Sequence, residues 1–198
     1  MGQSVTDACN SALQQVGAAS ILNILDNSKE ARVCNVAFDS NRRDELRKHF
    51  WNFAIKREVL AADVVAPAFG YAYAFTLPSD CLRIRLPNDS SLDWKREGNK
   101  ILTNTLSSPY GGATSTSASL SLQYVYDVTD VTQWDASFYN VFCISLALDI
   151  CEALTNSNPK RQALQMMYRD AVSDARRTNA FETLPQDAPD DYWWTVRG

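Results

Sequence analysis

The chain has 198 residues, a formal net charge of −4 and a single histidine, His49. One imidazole excludes a zinc site built on several histidines and leaves a single ring as a general base. At 45% hydrophobic and 21% charged residues, the composition is that of a folded protein, long enough for one ordinary domain or two small ones. The acidic balance argues against tight, sequence-independent DNA binding through a basic face, though not against passive contact with a duplex.

No stretch is expected to address a membrane. Met1 to Asp7 carries neither a basic region nor an apolar core of the signal-peptide kind. The longest apolar run, Val141 to Leu148, falls short of the roughly 20 residues a bilayer needs. Met1-Gly2 followed by Thr6 matches a short myristoylation pattern that often arises by chance. The five cysteines, Cys9, Cys34, Cys81, Cys143 and Cys151, include no CxxC pair and read as small buried apolar residues.

The first helix is marked by Val5, Ala8, Cys9, Ala12, Leu13 and Val16, with Gly17 as its stop. An apolar connector, Ile21 to Leu25, precedes the capping residues Asp26-Asn27-Ser28 and a second helix entered at Lys29. Its apolar positions are Ala31, Cys34, Ala37 and Phe38, whereas Asp39 to Lys48 is charged and is expected on an exposed face. Arg42, Arg43, Arg47 and Lys48, interrupted by Asp44 and Glu45, read first as a solvated helix face and second as a salt-bridged subunit contact. Phe50, Trp51 and Phe53 read as a core anchor.

Between residues 61 and 133 the period drops to two. Tyr71 to Leu77, Cys81 to Leu86 and Leu120 to Tyr126 alternate as strands, and Asp93 to Thr103 reads as a hairpin turning at Gly98-Asn99. Ser107 to Ser119 is a Ser/Thr/Gly loop. Helical spacing returns after Asp135, a capping residue, with Phe138, Val141, Phe142, Ser145, Leu148, Cys151 and Leu154 on one face. Pro159 opens a last helix, whose Ala163, Met166, Met167, Ala171 and Ala175 are expected to fill core. The fold class is therefore α+β: a helical domain from residues 1–60 and 134–182, an inserted antiparallel sheet or barrel at 61–133, and an extended tail at 183–198.

Catalytic motifs are missing from the sequence. Gly111-Gly112 lacks the lysine of a phosphate loop, and no GxSxG elbow occurs. Asp190-Asp191 in the tail reads as solvated charge, with general acid–base work on a glycan as the alternative. Tyr192, Trp193 and Trp194, followed by Arg197, are residue types that dominate binding hot spots. They either dock on a partner or fold back on the helical core.

The order of features resembles the tail tubular protein A family, the head-to-tail adaptors or gatekeepers of short-tailed bacteriophages. Ala12 to Gly17 with Ile24-Leu25-Asp26 resembles the family's opening helix and turn. The most specific stretch is Glu30 to Cys34, then Arg43 to Arg47, then His49-Phe50-Trp51-Asn52-Phe53-Ala54 and Arg57. The family commonly has Pro where this chain has Phe50. Phe69 to Tyr73, Leu77 to Arg83, Trp94, Glu97-Gly98, Ile101-Leu102, Trp134-Asp135 and Leu154-Thr155 continue the order.

The resemblance implies a virion structural protein, assembled in the host cytoplasm and located in the virion tail, with no catalytic residues, metal or cofactor. It implies a ring of about twelve copies built on heterologous contacts. The ring lies between the portal protein and a nozzle resembling tail tubular protein B. It extends the channel, touches genomic DNA passively and helps genome retention and ejection. Tyr192, Trp193, Trp194 and Arg197 become candidate portal-binding residues. A glycan-cleaving tail component and a host-interaction module are the alternatives.

Overall fold

The computed structural model describes residues 3–85, 93–104 and 119–182. Helix α1 (Val5–Val16) opens on a capping box: Ser4 Oγ accepts from the Asp7 N–H, and the Asp7 carboxylate accepts from the Ser4 N–H, both at 3.1 Å. Such a cap contributes about 1 kcal/mol. The helix stops at Gly17 in the left-handed region, φ 77°. A Cβ at Gly17 would meet Lys160 Nζ at 2.7 Å, and that amine donates to the Val16 carbonyl. One lysine thus satisfies the helix end, and the left-handed φ is what favours glycine there.

Helix α2 (Lys29–Lys48) starts at Ser28, whose hydroxyl accepts from the Ala31 N–H at 3.1 Å. Its second half departs from expectation: within Asp39 to Lys48, residues Asn41, Arg42, Glu45 and Leu46 are buried. They continue the face of Ala31, Cys34 and Phe38 by helical spacing, and each polar side chain meets a partner from another element. The helix ends at Lys48, so Phe50 and Trp51 lie beyond it, and Asn52–Ala54 forms a single 3-10 turn.

Strand β1 (Ile55–Ala61) follows at once, so strand structure begins ahead of the expected boundary at residue 61. β2 (Tyr73–Thr76), β3 (Cys81–Arg85), β4 (Trp94–Glu97), β5 (Lys100–Thr103) and β6 (Ser119–Tyr126) complete the insert. They form two antiparallel three-stranded sheets, ordered β1-β6-β3 and β2-β5-β4. Among the described residues the sheets do not close into a barrel. Leu60, Leu120, Leu122 and Tyr124 from the first sheet meet Phe75 and Ile101 from the second in a core of their own.

Helix α3 (Ala136–Thr155) is capped by Asp135, which accepts from the Ser137 and Phe138 N–H groups. By length and mean hydropathy, 1.4 in its richest window, it is long and apolar enough to cross a membrane, more than the shorter Val141–Leu148 run had indicated. Here it is the central helix, in contact with α1, α2 and the last helix, α4 (Asn158–Phe181). A helix packed on several sides is apolar nearly all round. Phe138, Phe142 and Ile150 fill the helical core with Leu13, Leu46 and Trp51.

α4 is rotated from the expected face. Met166 and Met167 are 61% and 48% exposed, while Leu164 and Ala175 are buried and Tyr168, Val172 and Asn179 are half-buried. The rotation follows the polar contacts described next: Tyr168 reaches Glu45, and Asn179 reaches the segment after α2. An unpaired buried carboxylate would cost more than two exposed thioethers.

Candidate functional site

The densest polar chemistry lies where α2, α3, α4 and the base of the insert converge. Glu45, 1% exposed, is its centre. Its Oε1 accepts from Ser145 Oγ at 2.6 Å, Lys48 Nζ at 2.8 Å and the Tyr168 hydroxyl at 3.0 Å. Its backbone carbonyl accepts from Trp51 Nε1 at 3.1 Å. Asn41 donates to Ser145 at 3.1 Å and to Asp149 at 2.6 Å. Burial, with the Glu45 charge beside it, pushes the Tyr168 phenol up to about 12. That phenol therefore stays a donor across the physiological range.

A second cluster joins helix to insert. Arg42 grips Asp127 with two nitrogens, Nε at 2.8 Å and Nη2 at 3.1 Å, and Arg43 Nε adds a third bond at 2.9 Å. Arg42 also pairs with Asp39. Burial would raise the Asp127 carboxyl, but the two guanidinium groups outweigh it and hold the pKa below the usual range. Asp127 follows β6, and its N–H donates to the Asp80 carbonyl at 2.9 Å, just before β3. Arg42 and Glu45 are thus turned inward, whereas Arg43, Asp44, Arg47 and Lys48 keep the exposure of a solvated face, with Arg43 and Lys48 ion-paired within the chain.

The third connection is an amide pair. The Asn52 N–H donates to Asn179 Oδ1, and Asn52 Nδ2 donates to the Asn179 carbonyl, both at 2.8 Å. Asn179 Nδ2 in turn donates to the Phe50 carbonyl at 3.1 Å. Trp51 is buried, with its ring edge-on to Phe138 at 5.2 Å between centroids, whereas Phe50 and Phe53 are half-buried against the same core. His49 lies edge-on to Trp51 at 4.9 Å. Arg47 donates to the Leu82 carbonyl. Arg83 donates to the Arg47 and Lys48 carbonyls at 3.3 Å each, placing a cation at the negative end of α2.

In the insert, the Tyr124 hydroxyl lies 3.1 Å from both Glu58 and Asp80. Lys56 pairs with Asp80 at 2.9 Å. Burial and those two carboxylates raise the Tyr124 phenol far above its ordinary value. A cavity of about 420 Å³ opens beside Phe53 and Trp134. Of its two carboxylates, Asp135 caps α3 and Glu182 lies 3.4 Å from Asn52. Among the described residues no three His, Cys, Asp or Glu side chains group as metal ligands. All described cysteines are free; Cys81 is half-buried and the other four are buried.

Tyr192, Trp193, Trp194 and Arg197 lie outside the described residues, as do Asp190-Asp191 and nearly all of the Ser107–Ser119 loop. The sequence reading missed Asn41, Glu45, Asp127, Ser145 and Tyr168 as partners. Helical spacing from Phe38 through Arg42 to Glu45 was the available sign that the buried face continues. No protein-family model matches this chain, and no curated protein matches it.

Proposed function

We propose that this chain is a virion structural protein, a head-to-tail adaptor that assembles as a ring between portal and tail nozzle. The observation that carries this reading is where its most family-like stretch falls. Arg43, Glu45, Arg47 and Asn52 supply bonds that fix the helices to one another or to the base of the insert, and the Trp51 ring packs on Phe138 of α3. A part whose work is geometry needs a stiff joint between the element that forms a ring and the element offered to the next component.

The outer face of α4 fits the same reading. Only Leu164 and Ala175 of that helix are buried, and Met166, Met167 and Phe181 face outward. A neighbouring copy would cover them in a heterologous contact. No catalytic step is assigned, and contact with DNA follows from the position in the channel.

Electron microscopy of portal rings mixed with the purified chain tests the proposal. The expected result is an added ring on the tail-facing side of the portal. A portal that stays bare, with the chain absent from the tail vertex of purified virions, would sink it. Peptidoglycan cleavage abolished by one Asp or Glu substitution would move the reading to an enzyme.

A further inference from the structure

The first sheet has two unlike faces. Facing the insert's own core are Leu60, Leu120, Leu122 and Tyr124, with the acids Glu58 and Asp80 gathered at Tyr124. The opposite face bears arginines. Cross-strand register sets Arg57 of β1 and Arg85 of β3 on either side of Gln123 of β6, so the three share one row, with about 10 Å between the outer two. A register shift after Cys81 brings Arg83 onto this face, opposite Val125.

The helical frame extends the row. The Phe50 ring lies under it, 4.2 Å from the Arg83 guanidinium and 5.4 Å from that of Arg85. Arg47 reaches the same strand at the Leu82 carbonyl. Arg176 lies one turn before Asn179, which bonds to Phe50. Burial first, then the nearby charges of Arg176 and Arg83, hold the His49 imidazole below its ordinary value. Among the described residues, none of Arg47, Arg57, Arg83, Arg85 and Arg176 has an ion-pair partner. Arg47, Arg57 and Arg176 are exposed.

We infer that this arginine face binds the phosphodiester backbone of a nucleic acid. Arginine forks fit phosphate oxygens, and Gln adds a neutral donor of a type common in backbone contacts. Stacking on Phe50 holds the Arg85 fork in place, and also that of Arg83, whose Nη1 is engaged by the α2 carbonyls. On a chain of net charge −4, a cluster of arginines localises the contact to this face among the described residues. The inference goes beyond the adaptor reading, which asks only for passive contact, and it concerns the isolated chain, so either can fail without the other.

The test is fluorescence anisotropy of a labelled duplex of about 30 base pairs, of arbitrary sequence, titrated with the full chain between about 50 and 200 mM salt. Binding should weaken log-linearly with salt. The Arg57→Glu, Arg85→Glu variant should lose at least about tenfold in affinity, and its salt slope should shallow by about 2, near 0.9 for each phosphate contact removed. Arg57→Gln with Arg85→Gln should shift the slope the same way and guards against misfolding. The equally charged control, Lys29→Glu with Arg32→Glu at the far end of α2, should bind like the parent. No binding at the lowest salt, or equal losses in both Glu variants, overturns the inference. Polyglutamate that displaces the duplex at equal charge concentration also overturns it, in favour of an acidic protein partner.

Discussion

The helical frame and the β insert use polar groups in opposite ways. The frame buries Asn41, Arg42, Glu45 and Ser145 and gives them partners on other helices or on the strand end. The only described insert residue that is polar and buried is Thr103, whose hydroxyl donates to the Asp93 carbonyl at 2.8 Å. Among the described residues, the ion pairs within the insert, Lys56–Asp80, Lys95–Glu97 and Lys100–Asp63, have lysines at least 44% exposed. Exposed pairs contribute roughly 0–1 kcal/mol each, whereas removing one partner of a buried network strands the others. The frame's interior chemistry thus fixes how its helices are rotated, while the insert relies on apolar contact between two sheets.

Substituting one polar residue in each region puts a number on the contrast. Glu45→Ala leaves Ser145, Tyr168 and Lys48 without their shared acceptor, and urea unfolding should report a loss of about 3 kcal/mol. A loss below about 1 kcal/mol would mean that the joint is no stiffer than a surface pair. Tyr124→Phe removes the hydroxyl between Glu58 and Asp80 but leaves the ring in the insert's core. The expected loss is about 1 kcal/mol, that of a single hydrogen bond. If Tyr124→Phe proves as costly as Glu45→Ala, the insert too depends on its polar contacts and the distinction fails.

The features legible in the sequence were those set by neighbouring residues. Gly17, Ser28, Asp135 and Pro159 placed helix ends because caps act within a turn, while the Ser4 capping box of α1 went unread. Alternation marked β2, β3 and β6, and the Gly98-Asn99 turn marked the hairpin of β4 and β5. β1 was missed because Lys56 to Val59 are all exposed on an edge strand, leaving little apolar alternation to read. The joint was missed for another reason: Glu45 and Ser145, or Arg42 and Asp127, meet across about a hundred positions or nearly so, and nothing local distinguishes a buried charge from a solvated one. The same partners set the rotation of α4, so Met166 and Met167 looked like core until Tyr168 was placed. The arginine row needed strand register, which composition and net charge hide.

His49 gives the smallest expected effect and reads the boundary between the two regions directly. Burial lowers its pKa in the folded protein, and Arg176 of the frame and Arg83 of the insert lower it further. A histidine depressed on folding binds fewer protons folded than unfolded. Its stabilising share is therefore complete above the unfolded value, about 6.5, and is lost as pH falls through the folded value. As the only histidine, it leaves the window between its folded and unfolded values free of other imidazoles. Urea unfolding at successive pH values should show stability declining across that window, and His49→Gln should flatten the decline. Arg83→Gln should raise the His49 pKa seen by NMR and shrink the same step, since it removes the insert's charge and leaves the frame's Arg176. A His49 pKa that ignores Arg83→Gln while responding to Arg176→Gln would place the imidazole wholly within the frame and break the coupling across the joint.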